Sequence, residues 1–230
     1  MAERKIYVPN TNKIGVDGIP VEFKWNAGLS ITQKQKNIHA LHNAALQQRR
    51  ISPILEISSK SLHKEGVELS AFNLSFKTDK GKVLTVETAF QGSKTFEFGG
   101  PFTDLYTKTS GEAKKDERLK KSGKLICFSF FNDVFDLDPP TFFYDWLYIN
   151  ALNKNEKLRR FVLDYNAFTD IEFNSEKSWN CQAYSVALYV SLYKNGLLEK
   201  ALQNKEAFKS IVKDEYDKKE RELRKQGTLL

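Results

Sequence analysis

The stretch Val83-Leu84-Thr85-Val86-Glu87-Thr88-Ala89-Phe90-Gln91-Gly92-Ser93-Lys94 changes its hydrophobic period partway along, and that change sets the fold class. Upstream, Phe72, Leu74 and Phe76 alternate, Thr78-Asp79-Lys80-Gly81 supplies a turn, and Val83-Leu84 returns, the pattern of a hairpin between Gly66 and Val86. Downstream, at about 100° per residue, Val86, Ala89, Phe90 and Phe96 gather on one side of a helix. Glu87 and Lys94 fall almost in line at the border of that face, with Gln91 on the same flank. The helix is expected to end near Gly99-Gly100-Pro101, where its backbone bonding cannot continue.

On either side of this junction helices and short strands mix without repeats. Residues 1–29 read as strand and loop, and Ser30 with Gln33 forms a capping box that opens a helix to about Arg49. Ile54, Leu55 and Ile57 suggest a short strand after Pro53, and a basic helix is expected from Gly111 to Lys121. Leu125–Phe131 reads as an apolar strand, and Thr141–Leu152 and Asn155–Tyr165 as adjacent helices. Cys181–Tyr193 reads as a long apolar helix closed by Asn195-Gly196, before a charged amphipathic tail. These elements describe one helix-rich α+β domain with a small antiparallel sheet, its core over about residues 1–200 and a charged helical extension over 201–230.

In 230 residues, 40% hydrophobic and 13% aromatic content supplies a core, and the net charge of +7 favours anionic partners such as nucleotide phosphates or DNA. No run of 18 apolar residues occurs and Met1-Ala2-Glu3-Arg4-Lys5 leads into no signal-peptide core, so a cytoplasmic chain without membrane attachment is expected. Cys127 and Cys181 lack CxxC spacing and read as reduced structural thiols. His39 and His42 have no further ligand at metal spacing, so no metal and no cofactor is expected.

Several blocks, taken in order, resemble the NADAR domain family. They are Leu69-Ser70-Ala71-Phe72-Asn73, then Thr85-Val86-Glu87 with Phe90-Gln91-Gly92-Ser93-Lys94, then Thr109-Ser110-Gly111-Glu112-Ala113-Lys114. Asp145-Trp146 to Asn150-Ala151-Leu152, Thr169-Asp170-Ile171-Glu172-Phe173-Asn174 and Trp179-Asn180-Cys181-Gln182-Ala183 follow. The likeness is greatest to the branch that serves as antitoxin to DNA ADP-ribosyltransferase toxins. It implies a YbiA-like fold and the removal of ADP-ribose from the exocyclic amine of guanine in DNA. ADP-ribosylated DNA would then be the substrate, ADP-ribose the product and the toxin a partner. Other branches cleave N-glycosidic bonds in phosphorylated riboflavin precursors and usually carry a tryptophan-glycine pair. Here Ser175-Glu176-Lys177-Ser178-Trp179-Asn180 stands instead, which argues against that substrate.

The implied chemistry distributes roles over these residues. Breaking an anomeric C–N bond with water needs proton delivery to the leaving amine and stabilisation of an oxocarbenium-like carbon. Glu87 is the first candidate for acid or base, although an acid in the first turn of a helix is ordinarily explained by the macrodipole. Lys94 could hold pyrophosphate, protonate the leaving group or, as a neutral amine, form a Schiff base with the open sugar. Gln91 either bonds substrate or faces water. Asp170 and Glu172 sit in a strand-like stretch, and one of them is expected to help position water. Asn180 and Gln182 open a helix, as cap or as substrate contact. Lys114 and Arg118, four apart, could bind diphosphate. Trp146 and Trp179 could stack on a base, and Ser70 and Asn73 could touch ribose. A small-metabolite N-glycosidase, or an ADP-ribose or nucleic-acid binder that neutralises a toxin by contact alone, are the alternative readings.

Overall fold

A computed structural model describes residues 1–174 and 179–225. Along the chain run β1 (Ala2–Pro9), β2 (Val16–Phe23), α1 (Ile31–Arg49), β3 (Ile54–Glu56), α2 (Lys64–Glu68), β4 (Ser75–Lys77) and β5 (Val83–Thr85). There follow α3 (Val86–Gly92), β6 (Lys94–Phe96), a 3-10 turn (Thr103–Thr107), α4 (Ser110–Lys115), α5 (Arg118–Lys121), β7 (Leu125–Phe130), β8 (Asp133–Phe135) and α6 (Phe142–Asn153). The chain continues through α7 (Glu156–Phe161), a second 3-10 turn (Val162–Asp164), β9 (Ala167–Thr169), α8 (Gln182–Lys194), α9 (Leu198–Ala201) and α10 (Lys205–Lys225). The class is α+β, as expected. Backbone packing divides the chain into two compact units, one from Met1–Ser70 with the chain from Glu156 onward, the other Ala71–Asn155.

The first unit is built on a four-stranded sheet in the order β2-β1-β9-β3, antiparallel except for the parallel pair β9-β3. Strand alternation sends neighbouring residues of β1 to opposite faces. Ile6 joins Val21, Phe23, Ile54, Ala167 and Ile171 in one cluster with Ile38, Leu41 and Ala45 of α1. Tyr7, on the other face, meets Tyr184 of α8 edge-on with ring centroids 5.9 Å apart. Helices therefore cover both faces, which explains why α8 is buried along most of its length. Ser30 caps α1 through Gln33 N–H at 3.2 Å, but Gln33 Oε1 has no partner among the described residues. The return half of the expected capping box is thus not made. Glu215 of α10 accepts hydrogen bonds from Val16 N–H (3.1 Å) and the Tyr184 hydroxyl (3.0 Å), docking the last helix.

In the second unit the hairpin β4-β5 is shorter than expected, with Ser75 facing Thr85 and Lys77 facing Val83. Phe72 lies outside it, and Gly66 belongs to α2 in the first unit, packed so closely on the Glu56 carbonyl and Ser61 that a side chain cannot fit. A second sheet, β6-β7-β8, is antiparallel throughout. Its inner face and α6 share an aromatic core in which Phe128 and Phe143 stack at 4.8 Å and Phe90 lies 5.1 Å from Phe128.

The helix does not run to residue 99 as expected, because α3 stops after Gly92. Ser93 Oγ donates back to Ala89 O at 2.7 Å, while Ser93 O accepts from Ser129 N–H at 2.7 Å. The backbone thereby exchanges helical partners for β7, and Lys94 pairs with Phe128 as the first residue of a strand. The expected basic helix over 111–121 is likewise two short helices, with Asp116 accepting from the Arg118 N–H at 2.9 Å where they meet.

Candidate active site

Every residue of helix α3 is buried, so its polar side chains have little access to bulk water and depend on partners within. Thr85 caps it in a complete capping box with Thr88 and also meets Ser110 Oγ at 2.8 Å. Glu87 N–H donates to Ala71 O at 2.9 Å, and Ser110 Oγ donates to Phe72 O at 2.8 Å, so the segment before the hairpin is tied to the start of α3. In this frame Glu87, 5% exposed, accepts a hydrogen bond at Oε1 from Gln91 Nε2 at 2.9 Å. Gln91 Oε1 is buried and has no partner among the described residues.

Lys94 is half-buried at the head of β6, its Nζ 4.8 Å from the centroid of Phe90. Burial lowers its pKa to about 8; the Glu87 carboxylate favours the ammonium, and Lys114 opposes it. No direct Glu87–Lys94 ion pair forms among the described residues, so the two charges act on one another across a gap. Lys114, exposed on α4, sits over the Phe72 ring at 4.9 Å. Glu87, Gln91 and Lys94, with Lys114 close enough to be felt, form one constellation of acid, amide and amines.

Other expected residues of this unit are placed differently. Arg118 makes a two-pronged contact with Asp104 at 2.7 and 3.2 Å and bonds Asp116 at 2.9 Å, while its guanidinium covers Phe102 at 4.6 Å. Its charge is matched inside the protein, which leaves Lys114 as the member of that expected pair without an acidic partner among the described residues. Trp146 packs on Phe135 at 4.9 Å and Phe130 at 6.4 Å and is partly exposed, with its indole N–H buried without a partner among the described residues. Asn73 is exposed at the turn after Phe72.

The first unit holds a second polar cluster. Asp170 lies just beyond β9 in a turn, not in the strand-like stretch expected, because its Oδ1 accepts from Glu172 N–H at 3.0 Å and its carbonyl from Phe173 N–H at 3.2 Å. Burial, then the charge of Glu56, holds the Asp170 carboxyl well above the usual range, and a hydrogen bond from Gln182 only partly offsets this. Glu172 leaves the cluster for an ion pair with Lys34 at 3.0 Å. Cys181 and not Asn180 is the N-cap of α8, with Gln182 the first helical residue. Ser70 is buried, and Trp179 is 40% exposed. Residues 175–178, which separate this sequence from the tryptophan-glycine pattern, lie outside the described residues.

Sequence reading missed Glu56 and weighed His42 only as a metal ligand. Glu56 is fully enclosed and accepts from the Thr169 hydroxyl at 2.6 Å and Ile171 N–H at 2.8 Å, bracketing Asp170 on both sides. Thr169 Oγ1 gives its proton to Glu56, so it accepts from His42 Nε2–H, 2.9 Å away. Burial lowers the His42 pKa to about 4. The available signal was an acid inside the apolar run Ile54-Leu55-Glu56-Ile57, where a charge is costly unless bonded.

Among the described residues no group of three potential ligands gathers for a metal ion, and no helix is long and apolar enough to cross a membrane. No curated protein matches the chain. A family model described as the DarT1-associated NADAR antitoxin matches residues 2–222. The chain, spanned by that model almost end to end, therefore belongs to the DarT1-associated NADAR antitoxin family.

Proposed function

We propose that this antitoxin is an ADP-ribosyl glycohydrolase that removes ADP-ribose from guanine in DNA, reversing the modification made by a DNA ADP-ribosyltransferase toxin. The observation that carries the reading is the buried Glu87, aligned by Gln91, beside a Lys94 whose pKa is lowered to about 8. A shielded carboxylate and a poised amine supply the two functions that an N-glycoside needs in order to break.

In the hydrolytic course, a water oxygen bonds to the anomeric carbon as the carbon–nitrogen bond breaks. Glu87 takes the proton lost by the water, and its negative charge faces the oxocarbenium-like carbon. The Lys94 ammonium gives a proton to the departing guanine amine and is recharged from Glu87. The products are ADP-ribose and unmodified DNA, with no net change at the protein. The lowered pKa of Lys94 favours a second course, since some neutral amine is present near neutrality. In it, the open-chain imine of the substrate accepts Lys94 Nζ at its carbon, the guanine amine leaves, and water hydrolyses the resulting lysine Schiff base. The basic excess of the chain supports an anionic substrate.

The test is incubation with an oligonucleotide carrying ADP-ribosylated guanine, followed by mass spectrometry. Loss of the ADP-ribosyl mass is expected. Inertia toward the oligonucleotide with turnover of a phosphorylated riboflavin precursor would instead assign a small-metabolite N-glycosidase, and tight binding without turnover a contact antitoxin. Borohydride trapping of an adduct that Lys94→Ala abolishes would select the Schiff-base course.

A further inference from the structure

Phe98 is 81% exposed, among the most solvent-accessible large apolar side chains of the protein, and it is not on a loose loop. Its N–H donates to Ser122 O at 3.0 Å, Glu97 N–H donates to Lys124 O at 3.0 Å, and Lys124 N–H donates to Glu97 Oε2 at 3.0 Å. Three hydrogen bonds thus staple the chain around Phe98 to the turn that follows α5. Gly123, at φ +84°, completes that turn, and a side chain there would meet the Phe98 ring at 2.7 Å. The ring lies over a glycine and presents its remaining surface to water. Because the backbone that carries the ring is already fixed, binding needs no reordering of the chain there.

The turn beside this ring is rich in lysine, and the acid next to it, Glu97, is engaged by the Lys124 N–H. Lys124 is bonded through its backbone to Glu97, and Lys120 stands on the helix whose end supplies the Ser122 carbonyl. Both are exposed, and neither has an acidic partner among the described residues, whereas Lys121 is paired with Glu117. From Glu97 to Lys124 there are seven basic and five acidic residues, a local excess of two. An exposed ring on a lysine-rich turn has the two parts that a single strand needs, a face for a base to stack on and amines for the neighbouring phosphates. A base is available for such stacking only when it is unpaired, which selects a single strand over a duplex. Phe98 also lies four residues from Lys94, within roughly 14 Å along the chain.

We infer that the Phe98 ring with Lys120 and Lys124 is a platform for single-stranded DNA that flanks the modified guanine. This deepens the proposed function and rests on it for the identity of the strand. Binding of unmodified DNA is nevertheless measurable apart from catalysis.

The experiment is fluorescence anisotropy of the full chain with a labelled oligothymidylate, which has neither guanine nor ADP-ribose, over a series of salt concentrations. Phe98→Ala is expected to weaken binding about fivefold or more with an unchanged salt slope, and Phe98→Trp to retain it. Lys124→Ala is expected to reduce the slope by roughly 0.7. Wild-type affinity in Phe98→Ala, or preference of the wild type for a duplex of the same length, overturns the inference. So does a Phe98→Ala protein that keeps the oligonucleotide and loses only the toxin polypeptide, since the ring would then be a protein contact. Wild-type inertia toward both ADP-ribosylated guanosine and the modified oligonucleotide, with Phe98-dependent oligothymidylate binding intact, would remove the enzymatic reading and leave the platform standing. Equal turnover of those two substrates, unchanged in Phe98→Ala, would do the reverse.

Discussion

Gln91 Nε2 lies 2.9 Å from Glu87 Oε1, one helical turn away, with both side chains withdrawn from solvent. The bond uses one oxygen of the amide's neighbour and leaves the amide's own oxygen as a buried acceptor. Such an acceptor costs about 1–3 kcal/mol until a donor arrives, and a ribose hydroxyl or a guanine amine is a donor.

Glu87→Gln keeps the shape and a hydrogen-bonding group but removes the charge. Turnover of the modified oligonucleotide should fall by roughly 10²-fold or more, the scale of a lost acid–base group. The melting temperature, followed by circular dichroism, should change little. Equal activity of this variant and the wild type would remove Glu87 from the chemistry.

Lys94 gives a pH signature with a definite sign. Its folded pKa of about 8 lies below the ordinary lysine value. Between those two pH values the unfolded chain therefore binds more protons than the native one, and stability rises with pH across that window. Lys94→Met should abolish this rise and raise stability by roughly 1–2 kcal/mol at pH 7. In the hydrolytic course activity should decline above about pH 8 as the ammonium is lost. Chemical denaturation and initial rates from pH 6 to 10 measure both effects.

His42 acts at the acid end. Its folded pKa of about 4 lies below that of the unfolded residue, so the native protein resists protonation. Stability is complete above about pH 6.5 and is lost as pH falls through 4, amounting to roughly 3 kcal/mol. His42→Gln should flatten that part of the urea-stability profile.

Glu56→Ala should cost about 2–4 kcal/mol, because the Thr169 hydroxyl and Ile171 N–H would both lose their acceptor inside the protein. The expected signature in hydrogen exchange is loss of protection at Ile171, with the second unit's amides unchanged.

Lys114 and Arg118 should separate. Arg118→Ala breaks contacts to Asp104 and Asp116 and should leave KM for the modified oligonucleotide within about twofold. Lys114→Ala removes a cation that no acid among the described residues pairs with and should raise KM roughly three- to tenfold. Steady-state kinetics on the two variants decides between them.

What the sequence determined by itself was whatever short-range periodicity carries. The hairpin turn at Thr78–Gly81, the opening of α1 at Ser30 and the apolar run of α8 were all legible, because turn chemistry, capping and side-chain spacing act over a few residues. The ordered NADAR blocks were legible for the same reason, as local patterns met in the right succession. Tertiary structure decided where α3 ends. Nothing between Gly92 and Lys94 forbids another helical turn; the exchange of partners at Ser93 depends on Ser129, thirty-six positions away, offering its N–H. That exchange moved Lys94 from a helix flank to a strand beside Phe90. Distance in sequence also hid the bonds between Glu56 and Thr169 and between Arg118 and Asp104, since a buried or paired charge is recognised by its partner, and the fold alone brings the partner near.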